Sequence, residues 1–284
     1  MLFAACVVLF TVSSLGGVGL GLSPREALVP LSDWRFVVMT LVVNWIVCPA
    51  LALVVLSIVP IARPYATGLA LLALAPCAPF APQMVRRARG DPASMAAFTL
   101  LSAVGTAVVM PLVVPRIVPG MTADPWTIAR PLLLFVLLPL LLGTMIRGAQ
   151  AAMADRLTPL ADAVTSLTGV VLLLLLIVLH GRGLWGAVGS FAIAAQVLFT
   201  TSVVAAAYAL GVVLRDEQRS VLTIGASTRN LGAALAPIAA LDVDPRAVVM
   251  IAIAAPVTLA TAAVVARAWA GRLARPPREA ARVI

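Results

Sequence analysis

Ser220–Ala239 reads SVLTIGASTRNLGAALAPIA. Both ends are apolar, as in a membrane helix, but Ser227, Thr228, Arg229 and Asn230 stand together at the centre, with Gly232 just after and Pro237 within the next turn and a half. A bare charge at the middle of a bilayer costs at least about 2.5 kcal/mol on the gentlest insertion scale. The arginine therefore needs a cavity or a partner, and a helix broken at this point provides one or the other.

The rest of the chain makes the membrane reading unavoidable. Of its 284 residues 62% are hydrophobic and 11% charged, against about 25% charged in ordinary soluble domains. Runs long enough to span as helices, about 20 residues each, lie near 2–22, 34–59, 65–85, 93–115, 127–146, 157–180, 185–213, 218–240 and 245–267. That is an all-α polytopic protein of nine transmembrane helices, with no room for a soluble domain. The alternation of a barrel strand is absent, so helices must satisfy the backbone in lipid. The first run has no basic leader and is too long for a signal peptide.

The net charge of +9 reads as loop placement, not as nucleic-acid binding. With nine spans, fourteen arginines fall on one side and five on the other, leaving Arg229 on neither. Cytoplasmic loops carry the excess of basic residues. The expectation is a multi-pass protein of the cell membrane with its N-terminus outside and its C-terminus in the cytoplasm. Cys6, Cys48 and Cys77 lie inside spans without a metal or disulfide spacing.

A second span is also interrupted. Residues 71–92 read LLALAPCAPFAPQMVRRARGDP, with Pro76, Pro79 and Pro82 at intervals of three, and no continuous helix survives three missing N–H groups. Asp91-Pro92 follows this break and Asp244-Pro245 follows the other, each a good helix opening with Asp as N-cap and Pro at the first position. The same order of parts occurs twice, and the loop alternation makes the copies inverted. Broken helices at corresponding positions of inverted halves point to a secondary transporter with a midplane site.

Over nearly its whole length the chain resembles the bile acid:sodium symporter family. GVGLGLSPREAL at 17–28 is similar to the family's Gly-Leu-x-Leu-Ser/Thr-Pro segment, and NWIVCPAL at 44–51 to its Gln-x-x-x-x-Pro segment. APCAPFAPQMVRRARGDPASMAAFTLLS falls on its first broken helix and the helix that follows, GASTRNLGAALA on its second. The resemblance implies a nine-helix member with two crossing broken helices, a panel domain at 2–22 and 127–180, a core at 34–115 and 185–267, and a cytoplasmic tail at 268–284. It also implies transport of a small organic anion by alternating access.

The departures bear on the coupling ion. The family's sodium ligands fall on Ala81, Pro82 and Gly225, which offer no side-chain oxygen; Thr99 keeps a hydroxyl, Met95 replaces a serine and Asn44 replaces a glutamine with a shorter amide. Asn44, Thr99, Gly225 and Ala81 thus mark what remains of the ion sites. Weak or no sodium dependence is expected, with no other metal or cofactor.

Arg229 stands where the family has a glutamine. Its guanidinium fork suits an anionic substrate, supplies permanently the charge that sodium would bring, or bonds the carbonyls freed by the break. Asn230, Thr228 and Ser227 contact substrate or cap exposed backbone, and the segments opening near Gly232 and after Pro82, with Gln83 first, present free N–H groups to an anion. Gln196, alone in its span, suits the core cavity. His180 and Trp34, Trp126, Trp185 and Trp269 sit at span ends as interfacial residues. Two rival classes are an intramembrane enzyme, for which the chain lacks buried acids, and a metalloid exporter, for which Cys77 lies in the first break.

Overall fold

Wherever the chain runs for twenty residues without clustered prolines or a charge it is helical, because a helix pairs its backbone within itself. A computed structural model describes residues 2–117, 124–238 and 243–274. The helices are α1 Leu2–Gly21, α2 Pro24–Leu31, α3 Trp34–Val42, α4 Cys48–Ile58, α5 Arg63–Ala73, α6 Ala81–Arg87, α7 Pro92–Ile117, α8 Pro125–Leu132, α9 Leu138–Ala149, α10 Ala151–Ala187, α11 Ala192–Leu210, α12 Asp216–Ser227, α13 Leu231–Leu235 and α14 Pro245–Leu273. Two π turns, Val43–Val47 and Leu133–Leu137, join α3 to α4 and α8 to α9. Each ends just before an X-Pro pair, Cys48-Pro49 or Leu138-Pro139. The proline has no N–H to offer the preceding turn and its ring crowds the carbonyl there, so that turn widens without breaking the rod.

Seven of the resulting rods are long and apolar enough to cross a bilayer. The other two apolar segments are the broken ones, α5 with α6 and α12 with α13. Several boundaries differ from the sequence expectation. Helix α10 runs unbroken for 37 residues past Gly181-Arg182-Gly183, so the seventh span begins at Ala192 and a core boundary at 185 falls inside a helix; nothing in that triplet removes a backbone N–H. Helix α14 continues to Leu273, past the expected tail boundary at 268, and Arg275, Arg278 and Arg282 lie outside the described residues. Helix α2 lies between the first two expected spans. Trp269 is no belt anchor: it is buried, 5.7 Å from the Tyr208 ring and beside the Arg272 guanidinium.

Several contacts join helix ends that are distant in sequence. Arg147 donates to the Leu20 carbonyl and pairs with Asp155 at 2.8 Å, Gln218 donates to Asp33 at 3.1 Å, and Arg272 pairs with Asp216 at 3.1 Å. Phe3 meets His180 edge to face at 5.8 Å. The connection after α1 thus meets that after α9, and the one before α12 meets both the start of α3 and the end of α14.

Helix α1 packs against α9 and α10. The closest approach is backbone to backbone: a Cβ on Gly19 would lie 2.3 Å from the Leu140 carbonyl oxygen, and one on Gly143 would lie 2.5 Å from that of Gly16. Association in lipid relies on such close packing of small residues, since burying apolar surface gains little there. Gly143→Ala should lower the melting temperature of the purified protein through an overpacking cost of about 1–3 kcal/mol. Gly21→Ala, which meets nothing within 4 Å, should leave it unchanged. Equal melting of the two variants would refute the tight α1–α9 contact.

Candidate functional site

The two breaks meet. Helix α5 stops at Ala73, and Pro76 and Pro79 keep residues 74–80 out of a helix until α6 opens at Ala81. Helix α12 stops at Ser227, and Thr228 and Asn230 are extended. The two extended pieces run antiparallel with Pro76 opposite Arg229. Cys77 N–H donates to the Thr228 carbonyl at 2.9 Å and Asn230 N–H to the Ala75 carbonyl at 2.8 Å. Proline fits here because opposed residues of an antiparallel pair alternate between hydrogen-bonded and non-bonded, and Pro76 occupies a non-bonded place. Cys77 pays for the geometry with a left-handed φ of 67°, a conformation uncommon outside glycine.

The polar residues of the second break hold its backbone. Ser227 Oγ donates to the Ile224 carbonyl at 3.0 Å, and Thr228 Oγ1 donates to that of Gly225 at 3.0 Å while accepting from Ala78 N–H at 3.4 Å. Asn230 Oδ1 caps α13 by accepting from Ala233 N–H at 3.0 Å. In this arrangement the N–H groups at the start of α13 are partly met by the chain itself. In the first break Pro82 is half-buried and Gln83 lies on the exposed face of α6.

Arg229 is 0% exposed, the largest of the fully buried side chains. Nη1 donates to the Ala73 carbonyl at 3.3 Å, and Nη2 donates to the Ala226 carbonyl and to Cys48 Sγ, the latter at 2.8 Å. The guanidinium lies 5.3 Å from the centre of the Phe199 ring. Ala73 ends α5 and Ala226 lies in the last turn of α12, so the cation faces the carbonyl ends of two helices, where the helix dipole favours positive charge. Among the described residues it has no carboxylate partner. Its Nε has no acceptor.

Around this centre several buried polar atoms are unpartnered. Both side-chain atoms of Asn44, one turn before Cys48, and Oε1 of Gln196, one turn before Phe199, have no hydrogen bond, although Gln196 Nε2 donates to Thr200 at 3.0 Å. Thr99 Oγ1 donates to the Met95 carbonyl at 2.9 Å and lies 3.5 Å from Cys77 Sγ. Ala81 is fully buried, and the space a side chain at Gly225 would need is filled by Phe98, whose ring would stand 2.4 Å from an added Cβ. Cys6 lies apart, against the Thr168 carbonyl, and among the described residues no three His, Cys, Asp or Glu side chains gather as a metal site.

Separate from the crossing, a cleft of about 460 Å³ opens between α1, α8 and the residues following α13. Val7, Leu134 and Ala236 give it apolar walls, with Thr11, Trp126 and Arg130 among its lining. Thr11 presses on Gly232, whose missing Cβ would lie 2.4 Å from the hydroxyl, so the cleft wall adjoins the second broken helix. None of the residues expected to bind solute or ion lines it. Trp126 is expected at an interface and Arg130 is one of the five arginines of the sparser side; their spacing of one helical turn places both on one face of α8. Among the described residues Arg130 makes no ion pair.

The Phe98–Gly225 contact is testable by itself. Gly225→Ala should destabilise by about 1–3 kcal/mol and Phe98→Ala by about 3–5 kcal/mol, with the double variant losing clearly less than the sum because the two changes share one space. Strict additivity in denaturation of the purified proteins would rule out the contact.

Comparison with known proteins bears on what these helices belong to. A search of curated proteins returned no match. The model of the Sodium Bile acid symporter family matches residues 7–185, from α1 to the end of α10, including the first break; the second break lies beyond it. The matched stretch is well over half of the chain, and the protein belongs to the sodium bile acid symporter family.

Proposed function

We propose that the protein is a secondary transporter of the cell membrane that moves an organic anion with a large apolar body by alternating access, with weak or no dependence on sodium. The observation that carries this reading is the antiparallel pairing of two broken helices at a buried centre, an arrangement that secondary transporters use where solute and ion sites are built. The broken pairs α5/α6 and α12/α13 complete nine crossings. Asp91 Oδ1 and Oδ2 accept from Ala93 and Ser94 N–H, and Asp244 Oδ1 from Arg246 N–H, so each broken pair is followed by an Asp-capped long helix. This supports an inverted repeat. The packing of α1 with α9 and α10 supports a panel at 2–22 and 127–180, moving against a core formed by the remaining helices.

The cleft between α1, α8 and the end of α13 is the candidate solute path. Its walls suit hydrocarbon, and Arg130 offers a fork for one carboxylate or sulfonate. Ser227, Thr228, Arg229 and Asn230 underlie it through the crossing and would sense solute through Gly232 and Thr11. Reduced sodium dependence follows from side-chain chemistry: the place of a carboxylate at Gly225 holds the Phe98 ring, Ala81 and Pro82 offer no oxygen, and Arg229 replaces a neutral amide. Sodium needs hard oxygen ligands.

In proteoliposomes, counterflow of an amphipathic steroid carboxylate should be similar in sodium and in choline; a tenfold stimulation by sodium would sink the reading. Arg130→Gln should raise the apparent KM about tenfold or more, as expected for loss of a charge-assisted contact worth about 1.5–3 kcal/mol, and unchanged KM would remove the cleft from the path. The positive-inside distribution of arginines puts the N-terminus outside, and a C-terminal fluorescent reporter that is accessible only from the external face would contradict it.

A further inference from the structure

We infer that the Arg229 guanidinium is a tethered internal cation, seated where the ends of α5 and α12 would otherwise form a site for an exchangeable monovalent cation. The inference deepens the sodium-independent reading above and gives it a cause. Half-helix carboxyl ends and unwound carbonyls are the groups with which membrane transporters hold small cations. Here the Ala73 and Ala226 carbonyls, from the two different broken helices, both accept from one guanidinium. The side chain comes from the second break, while its acceptors Ala73 and Cys48 belong to α5 and α4, so one cation ties three segments together. It cannot leave.

The surroundings fit a cation and not a solute anion. The guanidinium is fully buried, and its partners are two carbonyl oxygens, a sulfur and the Phe199 ring face, all of which favour positive charge. Asn44 and Gln196, each one turn before Cys48 and Phe199 on the same helix segments, carry buried oxygens with no hydrogen bond. Truncating the arginine would leave an oxygen-lined vacancy with no resident charge. Such a vacancy should bind a small cation.

The test is chemical replacement of the cation, read by melting and independent of transport. Wild-type melting should be the same in sodium, potassium, choline and dilute guanidinium chloride at equal ionic strength. Arg229→Ala should melt roughly 2–12 °C lower in choline, and sodium or guanidinium, far below denaturing concentrations, should restore at least half of the loss with a saturable dependence. Arg229→Gln, which retains a polar side chain of similar reach, should show a smaller loss and a weaker rescue. A variant that melts like wild type in choline overturns the inference, as does a loss that no cation restores, or a guanidinium effect equal in wild type and variant. If neither variant folds even when prepared with guanidinium, the seat does not bind a free cation and the inference also fails. A wild-type protein stabilised saturably by sodium would instead refute the sodium-independent reading.

Discussion

The structure rests on one constraint: backbone polar groups cannot be left unpaired in hydrocarbon. Each unsatisfied group costs several kcal/mol there, and a chain that breaks two helices in a buried interior has created many. Neither break can meet this cost alone, since residues 74–80 include prolines with no N–H and the second break is short. Placed side by side, each supplies what the other lacks through Cys77 to Thr228 and Asn230 to Ala75. The short side chains of Ser227, Thr228 and Asn230 and the long one of Arg229 take up further backbone acceptors and donors. The polar cluster that interrupts the sequence is the means by which an interruption can exist.

Charge follows the same logic. A buried guanidinium is tolerable because carbonyl ends of two helices point at it, and those ends are tolerable because a cation faces them. Removing one partner of such a set is costly in a way that replacing the whole set with apolar groups is not. At Gly225 the chain has taken the second course, with the Phe98 ring in the space. Two neighbouring places thus meet the cost of burial by different routes, one by charge against carbonyls and the other by apolar packing.

Much of this was legible from residue order. Prolines at 76, 79 and 82 have no helical interpretation, Arg229 has none in lipid, and Asp-Pro at 91–92 and 244–245 specifies a helix start wherever the preceding chain ends. What could not be read were partners set by tertiary packing. Nothing at position 48 announces a thiol accepting from an arginine 181 residues away. Gly181-Arg182-Gly183 looks like a loop because glycine and charge are common in loops, but neither forbids a helix and α10 passes through. Counting arginines by side of a membrane ignores the face of the helix on which a residue such as Arg130 lies. Trp269 sits at a helix end like Trp34, Trp126 and Trp185, and what sets it apart is tertiary, its packing into the buried core beside Tyr208.

The π turns at Val43–Val47 and Leu133–Leu137 give two of the long rods a property that an ideal α-helix lacks. Each carries one surplus residue in a single turn, much as a dislocation carries a surplus row of atoms in a crystal. A rod with such a defect can yield locally, by exchanging i→i−5 for i→i−4 bonds, without opening its hydrogen-bonded column to lipid. One of these defects contains Asn44 and directly precedes Cys48; the other directly precedes the stretch of α9 that packs against Gly16 and Gly19 of α1. The rod of α3 and α4 and the rod of α8 and α9 therefore each hold a point of plastic slip close to a packed contact.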